Sequence, residues 1–218
     1  MKKEEELEIL NKVYNETNGY VITSSEKPDF ILEKDGEKFG VEITKLYYNT
    51  SSARLKEIPD YTYKLLRNGI PRNDQGILNP HMIFVSVDGA WKYLGDTIGE
   101  KFKTYDDYIS ALVRLIKNKT EKAKDYQKLD YLELFVDDRE RYLFFKDISE
   151  LKYLEQSPEL LEVLKDSPFK RIYIFTIIDK KSFLLIKGDL TSGPFQVSEE
   201  TMVAHQKYMA DIYKGHID

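Results

Sequence analysis

The 218-residue chain contains no cysteine. This one absence removes disulfide frameworks, thiolate metal sites and cysteine nucleophiles together, and it suits a reducing compartment such as the cytoplasm. Histidine is scarce. His81, His205 and His216 are scattered without the spacing of metal ligands, so they read as structural or surface residues. The opening MKKEEELEIL lacks the apolar core of a signal peptide, and no stretch approaches the length of a membrane span. There is no P-loop, nucleophile elbow, internal repeat or low-complexity segment. A cationic excess is also missing: the net charge is −5 and the pI near 5.4. That argues against avid non-specific binding to nucleic acid, although 33 Lys and Arg leave room for a local basic groove.

What remains is the composition of an ordinary globular protein, 41% hydrophobic and 33% charged. The length fits a single domain over residues 1–218 with enough chain for a sizeable core. The most informative stretch is Lys27 to Leu46, KPDFILEKDGEKFGVEITKL. Phe30–Leu32 and Phe39–Leu46 read as strands joined by Lys34-Asp35-Gly36-Glu37, because Asp-Gly between apolar runs tolerates the positive φ of a tight hairpin turn. Pairing brings Asp29 towards Glu42. Alternation along the second strand puts Val41 and Ile43 on one face and Glu42 and Thr44 on the other. A carboxylate among β-branched residues is costly to bury without a cation or donor. Two so placed suggest a hard divalent metal held by oxygen ligands.

Around this hairpin the pattern predicts a helix over residues 3–17, with Leu7, Leu10, Val13 and Tyr14 at helical spacing and Asn18-Gly19 as its stop. Glu4, Glu5 and Glu6 fall in its first turn, where acidic groups complement the helix dipole. Glu6 lies nearest the inward face. A short strand is expected at Tyr20–Thr23, and a helix broken by Pro59 over 51–67. Asn68–Pro80 reads as a loop, Met82–Val87 as a strand, and Asp88-Gly89 as a turn. From Tyr105 onward, Ile109, Leu112, Leu115, Ile116, Ala123 and Tyr126 keep one apolar helical face. Lys119 falls on that face, where a lysine either snorkels its amine outward or serves a charged partner. Tyr131–Val136 follows as a strand, and Asp137-Asp138 read as a solvated turn. One or two helices over Asp147–Lys165, buried strands at Arg171–Ile178 and Phe183–Ile186, and a helix from Ser198 towards Tyr213 complete the chain.

Pro28-Asp29, a strand–turn–strand, and then Gly40-Val41-Glu42-Ile43-Thr44 resemble the PD-(D/E)XK nuclease motif. The closest likeness is to its variant with E-x-T in the second strand. The resemblance implies an α/β fold with a restriction-endonuclease-like αβββαβ core, a mixed central sheet flanked by helices. The core would cover about 3–46 and 82–138, with an insertion at about 50–80 and an additional α/β extension over 139–218. It further implies that Asp29, Glu42 and the strand carbonyl at Ile43 hold Mg²⁺ or Mn²⁺, with Glu6 joining from the first helix. The family pattern wants Lys where this chain has Thr44. Some members move that lysine to the following helix, and Lys119, Lys122 and Tyr126 look like those versions. Lys119 is therefore the first candidate for the catalytic lysine, Lys122 the second and Lys45 the third.

The function so implied is metal-dependent hydrolysis of nucleic acid, with DNA the expected substrate, in a defence or mobile-element setting. Arg67 and Arg72 would contact phosphates. Nucleases of this fold often act as dimers, which implies a homodimer or a partner subunit. The alternative is a catalytically inactive module of the same fold that binds protein or nucleic acid. Thr44 and the acidic pI favour it. A third reading is an ordinary α/β domain whose Pro-Asp and Glu are a turn and a strand-edge charge.

Overall fold

The computed structural model describes residues 1–14, 16–47, 50–88, 90–100, 104–138, 152–176, 183–187 and 196–197. The chain divides into two compact units, one of Met1–Leu46 with Tyr108–Asp218, the other of Tyr47–Asp107.

The first unit is built on a mixed seven-stranded sheet in the order β1-β2-β3-β6-β7-β8-β9. Helix α1 (Lys3–Leu10) leads into β1 (Val21–Ser24), β2 (Phe30–Lys34) and β3 (Glu37–Lys45), an antiparallel meander. The β2–β3 turn places Asp35 and Gly36 at positive φ (52° and 85°), as expected for Asp-Gly in a tight hairpin. Strand β6 (Tyr131–Asp138) then pairs parallel to β3, and β7 (Phe169–Thr176) parallel to β6. β8 (Phe183–Lys187) and β9 (Gln196–Val197) close the sheet in antiparallel register. Parallel neighbours require crossover connections. Helix α4 (Tyr105–Ala123) serves the first crossover, and α5 (Lys152–Glu155) with α6 (Pro158–Asp166) the second. Ser157 caps α6 by accepting from Leu160 N at 3.3 Å, and Pro158 occupies its first turn, where no backbone donor is needed.

Each face of the sheet is covered. Val41, Ile43, Phe135, Tyr173 and Phe175 pack with Ile9, Leu10 and Tyr14 from the α1 segment. The alternate residues Glu42, Leu134, Val136, Ile172 and Ile174 are buried on the opposite face. There α4 lies, with Tyr108, Leu112 and Ile116 inward and Lys119 bonded to Glu42. Lys117 to Glu159 (3.7 Å) sets α6 beside α4. β6 and β7 are buried on both faces over Leu134–Val136 and Ile172–Phe175, and the continuous apolar run at each reflects this. The fold class is thus α/β, a mixed sheet flanked by helices.

In the second unit, α2 (Thr50–Glu57) and α3 (Tyr61–Asn68) precede a long ribbon of β4 (Leu78–Val87) and β5 (Ala90–Glu100). Leu65, Leu78 and Ile98 form its small core. Asp74 is buried and satisfied by Ser51 Oγ (2.6 Å) and Arg54 Nη2 (2.7 Å). The strand expected over Met82–Val87 therefore forms, but within a two-stranded sheet of its own rather than beside the hairpin of β2 and β3. The inserted unit begins at Tyr47 and continues to Asp107.

Three further expectations differ from what forms. α1 ends at Leu10, followed by turns and a 3₁₀ turn at Glu16–Asn18, although Val13 and Tyr14 still face the core. β5 forms over Ala90–Glu100, where no strand is expected. Asp137 and Asp138 are not a solvated turn: both lie in β6 and are buried at 7% and 1% exposure. The helix expected from Ser198 towards Tyr213, the residues His205 and His216, and the turn at 179–181 lie outside the described residues. No described helix is long and apolar enough to cross a membrane.

Candidate active site

β2 begins at Phe30, opposite Val41, and the chain before it turns away. Asp29 takes over where the ladder stops. Its Oδ2 accepts from Ile43 N at 2.8 Å, satisfying a backbone donor that would otherwise lack a strand partner. This bond fixes Asp29 beside the segment of β3 that carries Glu42. Gly40, two residues before Glu42, is where the Pro28 ring crosses the strand. A Cβ there would run into that ring and would stand 2.8 Å from both Leu129 Cδ1 and Leu132 Cδ2. The glycine lets the Pro28-Asp29 corner sit directly on β3.

Glu42 projects to the α4 face, where it is only 6% exposed. Lys119 Nζ donates to Glu42 Oε1 at 2.5 Å, and the Tyr126 hydroxyl also hydrogen-bonds Glu42. Burial and that bond to a carboxylate push the Tyr126 hydroxyl well above its ordinary range. Lys119 thus does not snorkel to the surface. It is spent on a buried charge.

Glu6 on α1 supplies the third carboxylate. It is buried, and its Oε2 has Lys3 Nζ as ion-pair partner at 3.0 Å but no hydrogen bond of good geometry. Lys3 Nζ also takes the carbonyls of Ser25 (3.1 Å) and Asp29 (2.8 Å) and stands 3.8 Å from Asp29 Oδ1. The Asp29 carboxyl is pushed up to about 6, chiefly by burial. The Ile43 N–H opposes that shift, while the charges of Glu42 and Glu6 reinforce it and Lys3 offsets them. Three carboxylates near enough to repel one another, with two ammonium groups among them, define the site.

The other candidates lie elsewhere. Lys45 points away from Glu42 and pairs with Glu5 at 3.3 Å, lowering that carboxyl. Lys122 is exposed on α4. Thr44 shares the Glu42 face and is half-buried. Arg67 and Arg72 are exposed residues of the second unit. Lys3 was not singled out from sequence, although its i, i+3 spacing to Glu6 was the available signal.

The all-oxygen donor set suits a hard divalent ion, and Glu6 Oε2, buried without a hydrogen bond, leaves coordination capacity. Among the described residues no group of three or more His, Asp or Glu side chains converges as a ready cage. Mg²⁺ is commonly held by one or two carboxylates with water and substrate phosphates completing the shell, and Asp29 with Glu42 fits that mode.

A second charged cluster lies on the opposite face of the sheet. Glu133, fully buried, accepts from Tyr14 Oη (2.7 Å) and Arg171 Nη1 (2.8 Å), and Arg171 Nη1 also reaches Tyr14 Oη at 3.2 Å. Burial pushes the Glu133 carboxyl up, against the lowering effect of both bonds. The cluster is enclosed by the core around Phe135 and Tyr173 and reads as structural.

Comparison with protein-family models, with characterised proteins and with solved structures finds no match to this chain.

Proposed function

We propose that the chain is a metal-dependent nuclease of restriction-endonuclease-like fold that hydrolyses phosphodiester bonds, with DNA the expected substrate. One observation carries the reading: Asp29 is bonded to the backbone of β3 at Ile43, next to Glu42, and Lys119 reaches Glu42 from α4. The order α1, β1, β2, β3, α4, β6 also follows the αβββαβ core that the Pro-Asp…Glu-x-Thr motif implies.

In this reading Asp29 and Glu42, with the Ile43 carbonyl, hold Mg²⁺ or Mn²⁺, and Glu6 supports them through water. The ion, when bound, lowers the pKa of attacking water and screens the phosphate. The protein's own part is positional. The Ile43 N–H orients the Asp29 carboxylate. Tyr126 and Lys119 fix the Glu42 rotamer. The Lys119 ammonium is the cation placed to stabilise charge developing on a phosphoryl oxygen. Arg67 and Arg72 would contribute phosphate contacts.

The second reading, a binding module of the same fold without activity, is favoured by two features: Lys119 is already bonded to Glu42, and Thr44 stands where a lysine is wanted. Calorimetry with Mg²⁺ and Mn²⁺, paired with cleavage of duplex and single-stranded DNA and of RNA, separates the two. Wild type should bind metal and cut, Asp29→Ala and Glu42→Ala should lose both, and Lys119→Ala should keep metal while losing cleavage. Failure of wild type to bind either ion in the presence of nucleic acid would remove the enzyme reading.

A further inference from the structure

We infer that the β4–β5 ribbon is a self-association surface, occupied by the same ribbon of a second copy of this chain. The inference stands on the second unit alone and does not depend on the nuclease reading.

The register puts Phe84 opposite Tyr93, Ser86 opposite Trp91 and Met82 opposite Asp96. Directly opposed residues share a face, so Met82, Phe84, Trp91 and Tyr93 stand together. At the base of this same face, Leu78 and Ile98 are covered by Leu65 of α3. Beyond that cover Trp91 is 75% exposed, Met82 68%, Tyr93 55% and Phe84 47%. Phe84 and Tyr93 meet edge-on at 5.8 Å, forming a preset aromatic platform. Leu94, at the register shift, is also exposed. A two-stranded ribbon alone is marginal in water and needs further strands or packing on a face. The outer half of this one has neither among the described residues.

Composition and charge choose the occupant. Trp, Tyr, Phe and Met are the residues enriched at the centre of protein interfaces. With aromatic rings able to bury about 150–250 Å² each, the four side chains offer on the order of 500 Å², more than half of the ~800 Å² per partner of a standard interface. Nucleic acid is a poor fit, because phosphate contacts need cations and Met82–Leu94 carries one lysine, Lys92, against Asp88. Over residues 47–107 basic and acidic residues are equal in number, so the net −5 of the chain resides on the other unit. Two anionic copies can approach through this neutral ribbon without like-charge repulsion. Among the described residues each ribbon also has open strand edges whose backbone groups a second ribbon could pair.

Trp91 is the only tryptophan of the chain and reports directly on this surface. The experiment is sedimentation of the full chain across the micromolar range, with Trp91 emission recorded in parallel. The expected result is a shift from the 25.6 kDa chain to twice that mass, with emission moving to shorter wavelength along the same concentration curve. Phe84→Lys should weaken association by about thirtyfold or more, the loss typical of an interface anchor, with an unchanged far-ultraviolet spectrum. Phe84→Tyr should preserve it. A wild type that stays monomeric with invariant emission overturns the inference, as does a dimer indifferent to Phe84→Lys. Trp91 emission that responds to a duplex oligonucleotide or to phospholipid vesicles, at monomer mass, would reassign the ribbon and overturn it equally.

Discussion

Lys119 Nζ bonds Glu42 Oε1 at 2.5 Å, and 77 residues of sequence separate the two. Their side chains are 16% and 8% exposed, so each is the other's compensating partner away from water. Removing one partner of such a pair leaves an uncompensated buried charge. Lys119→Met should destabilise the fold by about 3 kcal/mol, read from the urea midpoint. Adding Glu42→Gln to it should recover part of the loss, giving a coupling energy in the double-mutant cycle.

Thr44 lies on the Glu42 face of β3. If Lys119 performs the role of a lysine displaced from that strand, Thr44→Lys should restore measurable cleavage to Lys119→Met. Restoration of stability without cleavage would leave Lys119 a structural partner of Glu42.

Asp29 sets a pH dependence. Its carboxyl titrates near 6 in the folded chain against an ordinary 3.8, so the folded state retains a proton that the unfolded state releases. Stability is fully present below about 4, falls as pH rises between about 4 and 6, and is lowest above that window. Asp29→Asn keeps an acceptor for Ile43 N–H and should flatten this part of the profile, measured as urea midpoint against pH.

Glu133 gives a control remote from the site. Arg171→Met should cost about 3 kcal/mol by leaving Glu133 buried without its cation. Tyr14→Phe should cost about 2 kcal/mol through one lost hydrogen bond to a charged acceptor. Calorimetric metal binding should be unchanged in both variants at temperatures where they remain folded.

Gly40→Ala tests the corner. The added methyl meets Pro28, Leu129 and Leu132, and overpacking of this kind costs typically 1–3 kcal/mol. Because Pro28 is the group displaced, Asp29 should shift as well. The Ile43 amide should then exchange with solvent faster than in wild type.

The hairpin and the helix carrying Lys119 were legible because local chemistry specified them. Asp35-Gly36 fixes a turn, Val41-Glu42-Ile43-Thr44 fixes two faces, and a lysine on an apolar stripe demands a partner. The assignment of Met82–Val87 to a sheet was beyond local reading, since a β-branched run shows that a strand forms but not which strand it pairs with. β5 was obscured by Gly95, Gly99 and a register shift at Ile83/Phe84 that break its alternation. The burial of Asp137 and Asp138 depends on parallel pairing of β6 with both β3 and β7, a long-range event. Lys3 was hidden because its partners include two backbone carbonyls, which carry no side-chain signature.

The crossover from β3 to α4 contains the whole of the second unit, about 60 residues. Loop-closure entropy grows only as the logarithm of length, so this detour costs about 1.5 kcal/mol more than a ten-residue link. Glu42 and Lys119 therefore meet on nearly the terms they would have across a short connection. What the detour changes is time: their contact is of high sequence separation, and such contacts form slowly. The second unit can nucleate from its own local ribbon while the pairing of β3 with β6 awaits a distant segment. The charge pair at the candidate site would then be among the last native contacts to form.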